Sequence, residues 1–163
     1  MNDKMYETDL SKNAANYQAL SPLSFLQRTA AIYPGRTAWI HGKYTVNYQE
    51  FGERCRRFAS GLAERGVGAG DTVSVMAPNV PALLEAHYGV PMVGAVLNAL
   101  NIRLDPATIA FILGHGEAKL LLTDREFSPV IEKALTMMEN PPSVIDIDDP
   151  LYTGSGSLLG DTD

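Results

Sequence analysis

Residues 66–101, GVGAGDTVSVMAPNVPALLEAHYGVPMVGAVLNALN, constrain the fold of this chain more than any other stretch. A glycine-rich loop ends at Asp71, and Thr72-Val73-Ser74-Val75-Met76 then alternates β-branched and small residues over one strand length. A helix is expected to start at Asn79, with Val80, Leu83, Leu84, His87 and Tyr88 at helical spacing on its inward face. Pro91 lacks a backbone donor and its ring crowds the preceding turn, so it is expected to bend or interrupt that helix. After Gly94 a second apolar run, 95–100, reads as another buried strand. Strand, helix and strand in this order make a βαβ unit. Its crossover is nearly always right-handed, so the two strands lie parallel in a sheet that needs helices on both faces.

The rest of the chain builds outward from that unit. Ser21-Pro22 predicts a helix start before Phe25, Leu26, Thr29, Ala30 and Tyr33, and Pro34-Gly35 stops it. Two runs of strand formers, 37–41 and 44–48, are joined by Gly42-Lys43 and read as an antiparallel hairpin. Asn47 and Glu50 have the spacing of a reciprocal helix cap. Phe51, Cys55, Phe58, Ala59 and Leu62 then mark an inward face, with Arg54, Arg56, Arg57, Glu64 and Arg65 on the wet side. Asp105-Pro106 and Ser128-Pro129 open two further helices, the second running over Val130, Ile131, Ala134, Leu135 and Met138. Strands are expected at 119–123 and 143–147. Four parallel strands alternating with helices give a three-layer α/β fold, helices on both faces of one sheet, with the hairpin attached.

Composition limits the partners. The chain has 163 residues, 45% hydrophobic and 20% charged, enough for one real core, and a net charge of −6 without a Lys/Arg cluster argues against nucleic acid. The longest uncharged run, 86–102, is broken by Gly89, Pro91, Gly94, Asn98 and Asn101 and does not read as a transmembrane segment. Cys55, the single cysteine, stands among apolar neighbours as a core residue and fits a reducing compartment, the cytoplasm. Residues 1–20 have no apolar centre, do not read as a signal peptide and are expected to form a flexible arm. Residues 21–150 form the α/β subdomain, and 151–163, aperiodic and composed largely of Gly, Ser, Leu, Thr and Asp, a linker or truncation edge.

Four pieces carry a resemblance through their order and spacing: GVGAGDTV at 66–73, APNVP at 77–81, VGAVLNALN at 93–101 and EAKLLLTD at 117–124. Together they resemble the amino-terminal part of the AMP-forming acyl-CoA synthetases, whose superfamily includes the luciferases and peptide-synthetase adenylation domains. The likeness runs from about residue 21 to about residue 132 and points to a medium- or long-chain fatty-acyl or an aryl-acyl subgroup. It implies the first subdomain of the acyl-adenylate-forming fold. It also implies a parent ligase using a small carboxylic acid, ATP, CoA and Mg²⁺. The carboxylate attacks the α-phosphate of ATP to give an acyl-adenylate and pyrophosphate, and the CoA thiol then displaces AMP. The ATP loop, the acidic residue for the ribose and the lysine of the C-terminal domain match nothing here, so no catalytic residue is assigned. The chain is expected to be an inactive fragment that holds no cofactor and self-associates through an exposed subdomain face. A free-standing α/β nucleotide-binding or protein-interaction module is the competing reading.

Several residues carry chemical alternatives. YTGSGS at 152–157 begins like the family's ATP loop but has neither its lysine nor its proline, and reads as a linker. Asp146, Asp148 and Asp149 read as a solvated strand end rather than a cation site, and His41, His87 and His115 have no metal spacing. Asn101 ends a strand where α/β crevices collect ligands, with a structural role in the next loop as the alternative. Arg103 and Arg125 follow two strand ends and are candidates for the phosphates of CoA, against the ordinary reading of solvated arginines.

Overall fold

A computed structural model of the chain describes residues 11–15 and 17–162. Of the arm expected at 1–20, residues 1–10 and 16 lie outside the described residues. The first element is α1 (Pro22–Ile32), started by the Ser21 hydroxyl, which accepts the Leu23 N–H at 3.3 Å. It leads into an antiparallel pair, β1 (Thr37–His41) and β2 (Tyr44–Asn47), whose turn needs the left-handed φ of 56° that Gly42 supplies. Asn47 then caps α2 (Tyr48–Glu64). Its side chain accepts the Glu50 N–H at 2.9 Å while the Glu50 carboxylate accepts the Asn47 N–H at 3.1 Å, the reciprocal cap expected from the sequence.

The main sheet contains β3 (Thr72–Met76), β4 (Val96–Ala99), β5 (Ala118–Asp124), β6 (Ser143–Ile147) and a short β7 (Asp161–Thr162). They lie in the order β4-β3-β5-β6-β7, every neighbouring pair parallel. The four expected strands are therefore present and parallel, and the hairpin is a separate two-stranded sheet. One face is covered by α2 and α3 (Pro81–Met92), whose Leu62, Ala86 and Val90 meet Val73, Val75, Leu120 and Leu122. The opposite face is covered by α4 (Pro106–His115) and α5 (Ser128–Leu135), whose Ile109, Leu113, Ile131 and Ala134 meet Met76, Leu100 and Leu121. Adjacent residues of β5 thus feed different cores, as strand alternation requires. A third cluster, Leu26, Phe51 and Cys55, ties α1 and the hairpin to α2.

Local departures from the sequence expectations have identifiable causes. α3 starts at Pro81, not Asn79, with Val80 as an unassisted cap, because proline's fixed φ suits the first helical position. Its buried residues are Glu85, Ala86, Gly89 and Val90, whereas Leu84 and His87 are exposed. Almost every position of this helix is apolar or small, so spacing alone cannot choose a face. The choice is made by Gly89, which lies directly against the Phe58 ring, and by Glu85, which pairs with Arg54 of α2. Nor does Pro91 interrupt α3. The helix runs through it to Met92 and ends at the next residue, where Gly94 N–H closes onto the Pro91 carbonyl at 3.0 Å. On α1 only Leu26 is buried, and Phe25 and Tyr33 are exposed.

The greatest departure is at the end of β6. Asp146, read as a solvated strand end, is 0% exposed, and its Oδ2 accepts the N–H groups of Leu159 and Gly160, both at 2.6 Å. Residues 156–160 of the stretch expected to act as a linker are therefore held against the sheet, and residues 161–162 pair with β6.

Candidate functional site

The strand order locates the crevice. From β3 the chain passes through α3 on one face to β4, and from β5 through α5 on the other face to β6. The connections diverge between β3 and β5, and in such sheets ligands collect outside the carboxyl ends of the strands at that point. Ala77-Pro78-Asn79 leaves β3 there, and Arg125 follows β5.

Asp124, the last residue of β5, is 1% exposed and its Oδ1 accepts the Glu126 N–H at 3.0 Å, capping the 3₁₀ turn Arg125–Phe127. Burial pushes its carboxyl above the usual aspartate range, and the charges of Glu126 and Asp149 add to the effect. Arg125 is held by two partners: Nη1 donates to Asp148 Oδ1 at 3.1 Å and Nη2 to the Gly156 carbonyl at 3.2 Å. Its guanidinium also lies 6.0 Å from the Tyr152 ring centroid. Beside this cluster the hairpin contributes His41, whose Nε2 meets Asp149 Oδ2 at 2.9 Å.

The three sequence candidates are not brought together. Asn101 and Arg103 follow the edge strand β4, and β3 separates that strand from β5 and Arg125. Asn101 Oδ1 accepts the Arg103 N–H at 2.9 Å, closing the loop, and the Arg103 side chain is exposed. Asn98 donates to Ser74 Oγ at 3.1 Å across the strand pair. The sequence reading missed Asp124 and the Arg54–Glu85 pair, and weighed His41 only as a metal ligand. Only Glu85, a lone acid within an apolar helix, gave a usable signal.

Two clefts adjoin the hairpin. One of about 560 Å³ is mostly apolar, with Trp39, Ile40, His41, Val80, Leu84 and Tyr88 in its wall. A smaller one of about 280 Å³ lies between Trp39, Tyr44, Arg54, Asp148 and Asp149. The first suits an apolar body, and the second carries opposed charges that are already paired. Cys55 supplies no nucleophile: it is 0% exposed, and burial, reinforced by the charge of Glu85, pushes its thiol up to about 12. His87 Nδ1 lies 2.7 Å from the Leu83 carbonyl, and His115 stacks on Phe111. Among the described residues no three His, Cys, Asp or Glu side chains converge to fit Mg²⁺, so no step through a metal is derived from this chain. No helix among them is long and apolar enough to cross a membrane.

Comparison with known proteins gives a consistent result. The sequence pattern of the family described as AMP-binding enzyme matches residues 26–157. An acetate–CoA ligase of Humulus lupulus is 53% identical over 80% of this chain and 23% of the relative. A peroxisomal acetate/butyrate–CoA ligase of Arabidopsis thaliana is 50% identical, again over 80% of this chain and 23% of the relative. The crystal structure of a benzoate CoA ligase from Burkholderia xenovorans superposes with a TM-score of 0.72 at 27% identity, covering 80% of this chain and 26% of that one. The chain spans about a quarter of the length of the curated relatives it matches.

Proposed function

The chain belongs to the AMP-binding enzyme family, and on that basis we propose that it is the amino-terminal portion of an ATP-dependent, AMP-forming acid–thiol ligase. The observation that carries this reading is the 53% identity to an acetate–CoA ligase across 80% of the chain. The whole enzyme activates a small carboxylic acid as its acyl-adenylate and passes the acyl group to the thiol of CoA. Acetate and butyrate are the first substrates to try, because the relatives' names carry them. Within that enzyme the 163 residues form one wall of the nucleotide-binding domain. Arg125 is the candidate for an anionic group of a substrate, since it stands at the divergence of the sheet. Asn101 and Arg103, one strand away from β5 on the far side of β3, are secondary candidates. Residues 21–150 act as the subdomain and 151–163 as a linker that lies in part along its sheet. The compartment proposed from Cys55 is the cytoplasm, and the peroxisome named for the Arabidopsis relative is the rival that imaging of a fluorescent fusion distinguishes.

The test compares two polypeptides in a pyrophosphate-release assay with acetate, butyrate and benzoate. The natural product of the complete reading frame is expected to turn over at least one acid. The 163-residue chain alone is expected neither to form an acyl-adenylate nor to bind ATP, because no lysine-bearing phosphate loop is present. ATP binding to the short chain tighter than about 1 mM, worth only about 4 kcal/mol, would place a phosphate site within these residues and overturn the reading of 152–157 as a linker. A natural product of 17.7 kDa would favour the free-standing module instead.

A further inference from the structure

An aspartate within a buried parallel strand needs a reason, because an unpaired carboxylate there is costly. For Asp146 the reason lies outside the strand. The two donors to its Oδ2 are the Leu159 and Gly160 amides, and Oδ1 has no partner among the described residues. Two short bonds from consecutive amides to one oxygen form a directional hold on the segment.

The held segment crosses from β6 to β7 without a helix. Leu159 packs on the core beneath α4 and α5. Ser157 N–H donates to Ser128 Oγ at 2.9 Å, at the start of α5, and Gly156 presents its carbonyl to Arg125 Nη2. Both glycines are required where they stand. A Cβ at Gly160 would overlap the Val144 carbonyl, and one at Gly156 would overlap the Arg125 carbonyl. Its polar contacts therefore seat the segment near the end of β6 and at the end of β5.

We propose that residues 151–160 are a strap latched by Asp146, and that its closed position commits Arg125 Nη2 to the Gly156 carbonyl instead of to an anion in the crevice between β3 and β5. Asp146 is a positioning residue: it touches no substrate and acts on Arg125 through the strap. The device has two states. Closed, the carboxylate is satisfied by two amides; open, it is satisfied by water that enters as the strap leaves. The inference concerns this chain alone and does not depend on the ligase reading.

Two measurements on the intact chain test it. Amide hydrogen exchange reports the latch, and the rate of phenylglyoxal modification at Arg125, mapped by peptide mass spectrometry, reports the guanidinium. Asp146→Ala is expected to abolish protection at residues 159–160 and to raise the Arg125 modification rate about tenfold, a change of about 1.4 kcal/mol in the opening equilibrium. Asp146→Asn keeps an acceptor for both amides and is expected to restore most of the protection. Gly156→Ala provides a variant outside the core should Asp146→Ala fail to fold. It displaces the strap at Arg125 only, so modification rises while residues 159–160 stay protected. Equal Arg125 rates in the wild type and in Gly156→Ala would overturn the proposal, as would free exchange at residues 159–160 in the wild type.

Discussion

The two helical layers on this sheet are held by different physics. α4 and α5 lie on their face through Ile109, Leu113, Ile131 and Ala134, all buried and all apolar. α2 and α3 also bury apolar residues, but between them they hold an ion pair, Arg54–Glu85, and a contact so close that Gly89 can carry no side chain without moving Phe58. An apolar layer is specified by volume. The mixed layer is specified by pairing, because α3 is apolar on most sides and packs acceptably in more than one rotation. A buried polar pair gains little net stability, yet it penalises every alternative rotation in which one partner is left alone.

The largest expected effect is on the apolar face. Leu113 is 1% exposed, and Leu113→Ala removes three buried heavy atoms and leaves a cavity, at a cost of about 4 kcal/mol. Urea unfolding measures it. A loss under about 1 kcal/mol would mean that this layer collapses around the gap and is not specified by volume after all.

On the mixed face the corresponding experiment is a double-mutant cycle. Arg54→Met strands the Glu85 carboxylate, which is 6% exposed, and is expected to cost about 3 kcal/mol. Arg54 is itself partly exposed, which places this value at the low end for a buried pair. Adding Glu85→Leu is expected to bring the protein back to within about 1 kcal/mol of wild type, because two apolar partners leave nothing unpaired. If the two single losses simply add, the pair does not specify the layer.

Gly89→Ala sharpens the same comparison with a smaller effect. In an exposed helix the change would gain about 1 kcal/mol. Here the new Cβ would displace the Phe58 ring and come within 3.2 Å of the Cys55 carbonyl, so the net result is a loss of about 1 kcal/mol. Thermal unfolding decides the sign, and a stabilised variant would show that α2 and α3 have room to separate.

The same contrast explains what could be read from the sequence. α2 was legible because its apolar residues Phe51, Cys55, Ala59 and Leu62 stand against charged neighbours, and its cap Asn47 announces itself through Glu50. The strands were legible for a related reason: β3 and β5 alternate between two cores, so their residue types are constrained on both sides. The rotation of α3 was not legible, since Leu83, Leu84, Ala86 and Val90 are equally eligible for burial. Asp146 was misread because its partners are backbone amides thirteen and fourteen residues away, which no side-chain pattern records. At the crevice, Arg125 was visible as a cation after a strand, but its commitment to Gly156 and Asp148 depends on a fold-back that sequence spacing does not encode.

The smallest expected effect separates the crevice from both layers through its pH dependence. Asp124 is buried and its carboxyl is pushed up, so the folded chain holds that proton more tightly than the unfolded chain. Between the ordinary aspartate pKa and the raised one, stability falls as pH rises, and above the raised value the loss is complete. Asp71, held low by its hydrogen bond to Lys119, and Asp105, held low by Thr108, act with the opposite sign: their stabilisation is present at neutral pH and fades in acid. Asp124→Asn removes only the first contribution. Asparagine retains the oxygen that accepts the Glu126 N–H, so the cap survives. The variant is therefore expected to be more stable than wild type at pH 7, with the gain disappearing below about pH 4, where the wild-type carboxyl is protonated in both states. Urea unfolding of both proteins across that range reads the difference directly, and Asp71 and Asp105 cancel in it. A difference that does not change with pH would mean that the Asp124 carboxylate is solvated from the crevice and that the carboxyl end of β5 is open.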